Sequence, residues 1–167
     1  MPRRVLVYLI AAGVFALDRA SKLAVQRLLP LWDSREAIPG FFNIVHSENS
    51  GAAFSLFMGM PGGWRRFLLI ASSVGAAALL TVLLWRGKAS RLQRAGLALI
   101  LGGALGNLWD RAITGAVTDF LDLYVVSYHW PAFNVADSAI TIGAGLVVLD
   151  VLLGRRAGAP HSGRGAA

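Results

Sequence analysis

The chain has 167 residues, of which 56% are hydrophobic and only 15% are charged, and its mean hydropathy is +0.59. This composition excludes a disordered chain and is too apolar for an ordinary soluble domain, while the absence of cysteine excludes disulfides, a thiol nucleophile and a thiolate metal site. The net charge of +7 would suggest nucleic acid binding in a soluble protein, but the basic residues flank apolar segments, which favours a membrane protein that binds no nucleic acid.

Four apolar segments predict four membrane-spanning helices. The first begins near Val5, and because Asp18, Arg19 and Lys22 stand where a signal peptide would need small residues for cleavage, we expect a retained span. The second segment, 67–85, carries no charge and is close to the roughly 20 residues needed to cross a bilayer. The first, third and fourth segments are short or polar at one end, which indicates helix ends that line a cavity inside the protein. The predicted spans cover residues 5–27, 67–85, 92–111 and 137–153.

Charged residues between the spans predict the orientation. Four spans put both termini on one side of the membrane, and nine of the 16 basic residues lie there. The acidic residues are more decisive, because Asp150 is the only one of the nine near that side. By the positive-inside rule, both termini are predicted to be cytoplasmic.

The two outer connections, 28–64 and 112–136, predict a small sheet on the outer face. Phe41–His46 and Val117–Val126 are rich in β-branched and aromatic residues, as short strands are. The predicted fold class is therefore an all-α membrane protein of four transmembrane helices with a small extracytoplasmic β-sheet and loop region. It forms a single membrane-embedded domain over residues 1–154, and residues 155–167 are expected to be a disordered cytoplasmic tail.

Two aspartates, Asp119 and Asp137, are the candidate active site. Acidic residues at the ends of membrane segments are costly and need a reason, and a carboxylate pair that shares one proton activates water without metal, serine or cysteine. In the predicted strand, Asp119 and Asp122 point to opposite sides, and Asp119 is favoured as the one that faces the helices. Two alternatives stay open: Asp137 is an N-cap of the fourth helix, in competition with Asn134, and Asp119 is a solvated strand residue.

The third span carries a stripe of residues that also supports an active site at the two aspartates. Gly103, Asn107 and Arg111 are spaced i, i+4 and i+8, so an amide and a guanidinium would approach the two carboxylates and position a peptide. Gly102 and Gly106 form a small-xxx-small pair that would admit another helix. The plainer alternatives are glycines that serve packing alone and an arginine that only snorkels.

Other polar positions are less specific. Asp18 and Lys22 are spaced i, i+4 in the first span, which favours a structural ion pair. The polar turn that begins at Asn49 reads as a loop or as a strand edge that pairs with an extended peptide. No His-Glu-x-x-His or Gly-x-Ser-x-Gly motif is present, which argues against a zinc hydrolase or a serine hydrolase, and no cofactor is expected.

Five segments, in this order, resemble one known family. They are Asp18–Lys22, Asn49–Ser55, Gly102–Arg111, Val117–Phe120 and Phe133–Ser138. Together they resemble the prolipoprotein signal peptidases, or signal peptidase II, of bacterial inner membranes, over nearly all of the chain except the tail. One departure is Arg19, where the family often has glutamine; it touches no catalytic position.

The resemblance implies a membrane aspartyl endopeptidase with its active site near the outer face of the inner membrane. Such an enzyme removes the signal peptide of diacylglyceryl-modified prolipoproteins by cleaving before the lipidated cysteine, and the cyclic peptide globomycin inhibits it. The partners implied are these precursors and membrane lipid, and a monomer is expected. The implied catalytic pair is Asp119 and Asp137, and the implied supporting residues are Asp18, Asn49, Asn107, Arg111 and Asn134.

Two other functions stay open from the residues. A small proton-coupled transporter or channel subunit would stagger its carboxylates through the membrane, whereas here they crowd one end. A non-catalytic membrane scaffold would use its glycine faces to bind other helices.

Overall fold

The computed structural model describes residues 3–51, 62–86 and 89–157. Within these ranges the chain is mostly helical, with a small antiparallel sheet, as the sequence predicts. The helices are α1 (Arg3–Leu28), α2 (Gly62–Arg86), α3 (Arg91–Ile113) and α4 (Val135–Ala157), and the strands are β1 (Ser34–Ile38), β2 (Phe42–Asn49), β3 (Val117–Val125) and β4 (Tyr128–His129).

Among the described residues, two helical stretches are long and apolar enough to cross a membrane. They are Gly63–Arg86 and Val135–Gly154, with mean hydropathies of 2.4 and 1.8. Helices α1 and α3 are also long, at 26 and 23 residues, but they contain charged residues. A mean hydropathy counts these charged residues as if they were in contact with lipid. In the structure, however, Asp18 and Lys22 of α1 are completely buried inside the protein.

Helix α3 is the centre of the bundle and packs against α1, α2 and α4. It approaches α4 closely at two places: a Cβ on Gly103 would lie 2.4 Å from the carbonyl oxygen of Ala136, and a Cβ on Gly96 or Gly143 would lie within 2.6 Å of the other's carbonyl oxygen. The predicted pair Gly102 and Gly106 faces α1, and a Cβ on Gly106 would lie 2.5 Å from the carboxylate of Asp18. The prediction that this pair admits a neighbouring helix is confirmed.

The sheet has the strand order β1-β2-β3-β4, with antiparallel neighbours. The two predicted strands correspond to β2 and β3, whereas β1 and β4 were not predicted. A further antiparallel bridge joins Leu121 of β3 to Phe133, with N–H···O distances of 2.8 and 3.0 Å. Because Phe133 stands two residues before α4, this bridge fixes the start of α4 beside the middle of β3.

Helix α4 continues to Ala157, so residues 155–157, which the sequence predicts to be tail, are helical. The apolar pattern ends at Leu153, but arginine and alanine are good helix formers and let the helix run on. The remainder of the predicted tail, 158–167, lies outside the described residues.

Candidate active site

Asp119 of β3 and Asp137 of α4 line one cavity of about 450 Å³. The strand and the helix that carry them are held together by the bridge between Leu121 and Phe133. The wall combines polar groups from β2, α3 and α4 with apolar and aromatic side chains of the segment before α4. Its lining residues are Asn49, Arg111, Asp119, Leu123, Trp130, Pro131, Ala132, Phe133, Asp137, Ser138 and Thr141.

Asp119 is almost fully buried, with 3% of its surface exposed, so the alternative of a solvated strand residue is wrong. Asn134 donates from Nδ2 to its Oδ1 at 2.7 Å, and Asn49 forms a second side-chain hydrogen bond with it. Burial, and then the nearby charge of Asp137, raise the pKa of Asp119 from 3.8 to about 6, against the opposing effects of the two asparagines and of Lys22. Asp119 therefore keeps a proton far more readily than an ordinary aspartate.

The competition for the N-cap of α4 is resolved in favour of Asn134. Its Oδ1 accepts from the backbone N–H of Asp137 at 2.9 Å, as an N-cap side chain does. The adjacent N–H of Ala136 is taken by Oδ1 of Asp18, also at 2.9 Å. Two of the free N–H groups of the first turn are thus satisfied by other residues, and the carboxylate of Asp137 is left available to the cavity.

Asn107 of α3 orients Asp137 in the way that Asn134 orients Asp119. Its Nδ2 donates to Oδ1 of Asp137 at 2.7 Å, while its Oδ1 accepts from Nζ of Lys22 at 3.0 Å. Because the acceptor side of the amide is occupied by a cation, its NH₂ group must face the carboxylate. Each candidate catalytic aspartate is therefore held by an asparagine whose own orientation is fixed.

Asn49, at the end of β2, is a third asparagine whose amide orientation is fixed by a hydrogen bond. Its Oδ1 accepts from the N–H of Gly51 at 2.9 Å, which leaves its Nδ2 to donate to Asp119. Gly51 has a φ of +88°, in the left-handed region where a side chain is strained, so this turn favours glycine. Residues 52–55 of the same predicted segment lie outside the described residues.

Asp18 does not line the cavity but belongs to a buried ion network beneath it. Lys22 pairs with Asp18 and with Asp110 at 2.8 Å each, which confirms the predicted i, i+4 ion pair and adds a second carboxylate. Asp110 also pairs with Arg19. The hydrogen bond from Lys22 to Asn107 joins this network to the site. Asp18 therefore supports the site through Lys22, and Arg19 is joined to it through Asp110 and Lys22.

Arg111 of α3 lines the cavity and acts electrostatically on both aspartates. Its Nη1 donates to Oγ of Ser73 on α2 at 3.3 Å. Its Nε–H is buried and has no hydrogen-bond partner in the part of the chain that the structure describes. A buried donor without a partner is costly, so the described contacts leave the guanidinium incompletely satisfied.

Sequence reasoning missed several members of the site. Lys22 was assigned only to Asp18, and its contacts with Asn107 and Asp110 join residues 85 or more positions apart, which no local spacing reveals. Ser73 lies beside Ser72 in an apolar helix, where a serine hydroxyl gives no signal of a functional site. The aromatic wall from Trp130 to Phe133 follows a short strand and has no periodic pattern.

Two carboxylates, one asparagine and one arginine thus line a single cavity, and two further asparagines hold the carboxylates. The family model described as signal peptidase (SPase) II matches residues 10–153. The chain belongs to the signal peptidase II family.

Similar curated proteins are named lipoprotein signal peptidases. The lipoprotein signal peptidase of Solibacter usitatus is 49% identical over 152 residues, which cover 89% of this chain and 92% of that protein. The lipoprotein signal peptidase of Aeromonas hydrophila is 50% identical over 144 residues and 84% of each chain. Membership in this family makes the chain a peptidase and disfavours the transporter and scaffold alternatives.

Solved structures support the fold of this signal peptidase II. A bacterial membrane enzyme solved by the in meso method at 2.3 Å resolution is similar with a TM-score of 0.81 and 29% identity, over 95% of this chain and 94% of that one. A second bacterial membrane enzyme, solved by the same method at 1.9 Å, has a TM-score of 0.78 and 31% identity over 88% and 92% of the two chains. The chain is thus similar in fold, over nearly its whole length, to bacterial membrane enzymes.

Proposed function

We propose that this signal peptidase II is an aspartyl endopeptidase that removes the signal peptide from diacylglyceryl-modified prolipoproteins, cleaving before the lipidated cysteine. Asp119 and Asp137 are its catalytic pair. The observation that carries the proposal is that two carboxylates from separate elements meet at one cavity, each fixed by an asparagine amide. Such an arrangement suits hydrolysis by activated water.

The pair works with one proton. Asp119, whose pKa is raised to about 6, is the member that carries the proton and polarises the scissile carbonyl. Ionised Asp137 removes a proton from the attacking water, and Nδ2 of Asn107 keeps its carboxylate in place. The resulting diol collapses when the leaving nitrogen is protonated, so no covalent acyl-enzyme forms.

Arg111 and Asn49 hold the peptide at the pair. The guanidinium of Arg111 lines the cavity as a donor for a peptide carbonyl, and its charge complements the single negative charge of the pair. Asn49 ends β2 at the rim of the cavity, where an extended peptide would lie against the sheet. The cavity of about 450 Å³ is also the binding place expected for globomycin-type inhibitors.

The same proposal places all four helices across the bacterial inner membrane, with both termini cytoplasmic and the cavity near the outer face. In support of it, α1, α2 and α4 each present large apolar side chains outward. Among them are Leu9, Leu17, Leu79, Val82, Ile142 and Val148. The charges of α1 and α3 are compensated inside the bundle, and the diacylglyceryl chains of the substrate rest in the bilayer against these helices. The enzyme acts as a monomer and needs no cofactor.

The test is cleavage of a purified diacylglyceryl-modified precursor by purified protein, with and without globomycin. Asp119→Asn and Asp137→Asn should each abolish cleavage while the protein remains folded. Asp122→Asn is the matched control, because Asp122 is equally buried on β3 but bonds to Asn43 and His129 and lies outside the cavity. Cleavage at a near wild-type rate by either of the first two variants would refute the assignment, and loss of activity with EDTA would indicate a metal enzyme instead.

A further inference from the structure

A second cavity lies at the other end of the bundle from the aspartates. It has a volume of about 350 Å³ and lies between the first turns of α1 and of α3. Along α3, Arg91 is 16 residues from Asn107, which corresponds to about 24 Å at the rise of an α-helix. This cavity is therefore separate from the catalytic site. Its lining residues are Leu6, Val7, Ile10, Arg91, Arg94 and Ala95.

The polar side of this cavity consists of two arginines. Arg91 and Arg94 are spaced i, i+3, so their side chains share one face of α3. In the part of the chain that the structure describes, neither guanidinium has a carboxylate within 4 Å, and the first turn of α3 contains no acidic residue. Asp150 accepts a hydrogen bond from Ser90, the residue before Arg91, and forms no ion pair with either arginine. Two neighbouring guanidinium groups that have no carboxylate in ion-pair contact repel each other and favour an anion.

The other side of the cavity is apolar. Leu6, Val7 and Ile10 come from α1, and Leu6 is 55% exposed although it is a large hydrophobic residue. The cavity thus combines a doubly cationic rim with a hydrocarbon wall. A phospholipid has the same two parts, since guanidinium forks bind phosphate oxygens and an acyl chain packs against leucine, valine and isoleucine.

We propose that this cavity binds an anionic phospholipid, with its phosphate on Arg91 and Arg94 and an acyl chain along Leu6, Val7 and Ile10. Its assignment to the cytoplasmic leaflet rests on the topology given under the proposed function, whereas its chemistry does not depend on the aspartates. Basic pockets between helices on the cytoplasmic side are the ordinary binding places of anionic headgroups. The bound lipid joins α1 to α3, the two helices that carry the buried ion network under the active site.

The experiment measures lipid retention by native mass spectrometry on the full chain, purified in a neutral detergent and titrated with phosphatidylglycerol or phosphatidylcholine. Wild-type protein should retain phosphatidylglycerol about tenfold better than phosphatidylcholine. Arg91→Gln/Arg94→Gln should lose this preference, and Arg91→Gln alone should reduce it. The matched control is Arg27→Gln/Arg35→Gln, which removes the same charge from the end of α1 and from the exposed strand β1 and should keep the preference.

Three results would overturn the proposal. The first is equal retention of the two lipids by wild-type protein, and the second is an equal loss of preference in the control variant. The third is displacement of the lipid by soluble glycerol phosphate, which would show a phosphate site without a lipid site. Asp119→Asn should keep the lipid preference while it loses cleavage, so a failure of the lipid site and a failure of the catalytic proposal are distinguishable.

Discussion

Replacement of Asp119 by asparagine should stabilise the folded protein at neutral pH while it abolishes cleavage. Asp119 is buried, and its pKa rises from 3.8 to about 6, because the fold disfavours its charged form. A rise of this size corresponds to about 3 kcal/mol of folding free energy that is lost when Asp119 ionises. Asparagine mimics the protonated acid and still accepts from Asn134, so Asp119→Asn avoids this loss.

The sign follows from proton binding. Between about pH 4 and pH 6 the folded protein binds more protons at Asp119 than the unfolded chain does, so wild-type stability falls as the pH rises through this range. Above about pH 6 the loss is complete, and there the variant should exceed wild type by about 3 kcal/mol, or about 6–12 °C in Tm for a chain of this size. Near pH 4 the difference should vanish.

The assay is thermal unfolding of both proteins in one detergent at a series of pH values from 4 to 8, with Asp122→Asn as the control for loss of a carboxylate on the same strand. The reasoning fails if Asp119→Asn and wild type have parallel Tm profiles, or if the variant is the less stable protein at pH 8. Either result would mean that the folded structure does not disfavour the charged form of Asp119.

Two further predictions concern the cations around the pair. Lys22→Met should lower the free energy of unfolding by about 3–5 kcal/mol, because it leaves Asp18 buried without its cation. Denaturant titration measures this free energy. A decrease of less than about 1 kcal/mol would contradict the prediction. Arg111→Gln should raise the pKa of Asp119, because a positive charge near both carboxylates is lost. The alkaline limb of the pH–rate profile, on which Asp119 loses its proton, should therefore move to higher pH, whereas the remote Arg35→Gln should leave it in place, and an unchanged limb in Arg111→Gln would count against the electrostatic role.

The helices and the two long strands could be predicted because their signals are local. An uncharged apolar run defines α2, and β-branched and aromatic residues define β3. Strand β1 could not be predicted, because its sequence Ser-Arg-Glu-Ala-Ile is polar and all five residues are exposed, so only its pairing with β2 makes it a strand. Strand β4 has two residues, which is too short for any pattern.

The candidate site shows the same division between local and tertiary information. The stripe of Gly103, Asn107 and Arg111 follows from helical spacing, and it correctly predicts that one face of α3 approaches the aspartates. Which of Asn134 and Asp137 caps α4 could not be predicted, since both are good N-cap residues. The choice depends on the bridge between Leu121 and Phe133, which positions Asn134 to cap α4 and to contact Asp119 at once.

The charged residues of the site form two layers, one beneath the cavity and one that lines it, and charge balance explains this arrangement. The lower layer has two carboxylates, Asp18 and Asp110, and two cations, Arg19 and Lys22, so it is neutral as a unit. The upper layer, which contains the aspartate pair and Arg111, is neutral only when the pair holds one proton. Since Asp119 is buried and a buried charge is costly, its burial favours the singly protonated pair that the proposed water activation requires. The asparagines hold the two carboxylates without adding charge, and the raised pKa of Asp119 favours it as the proton carrier in the proposed mechanism.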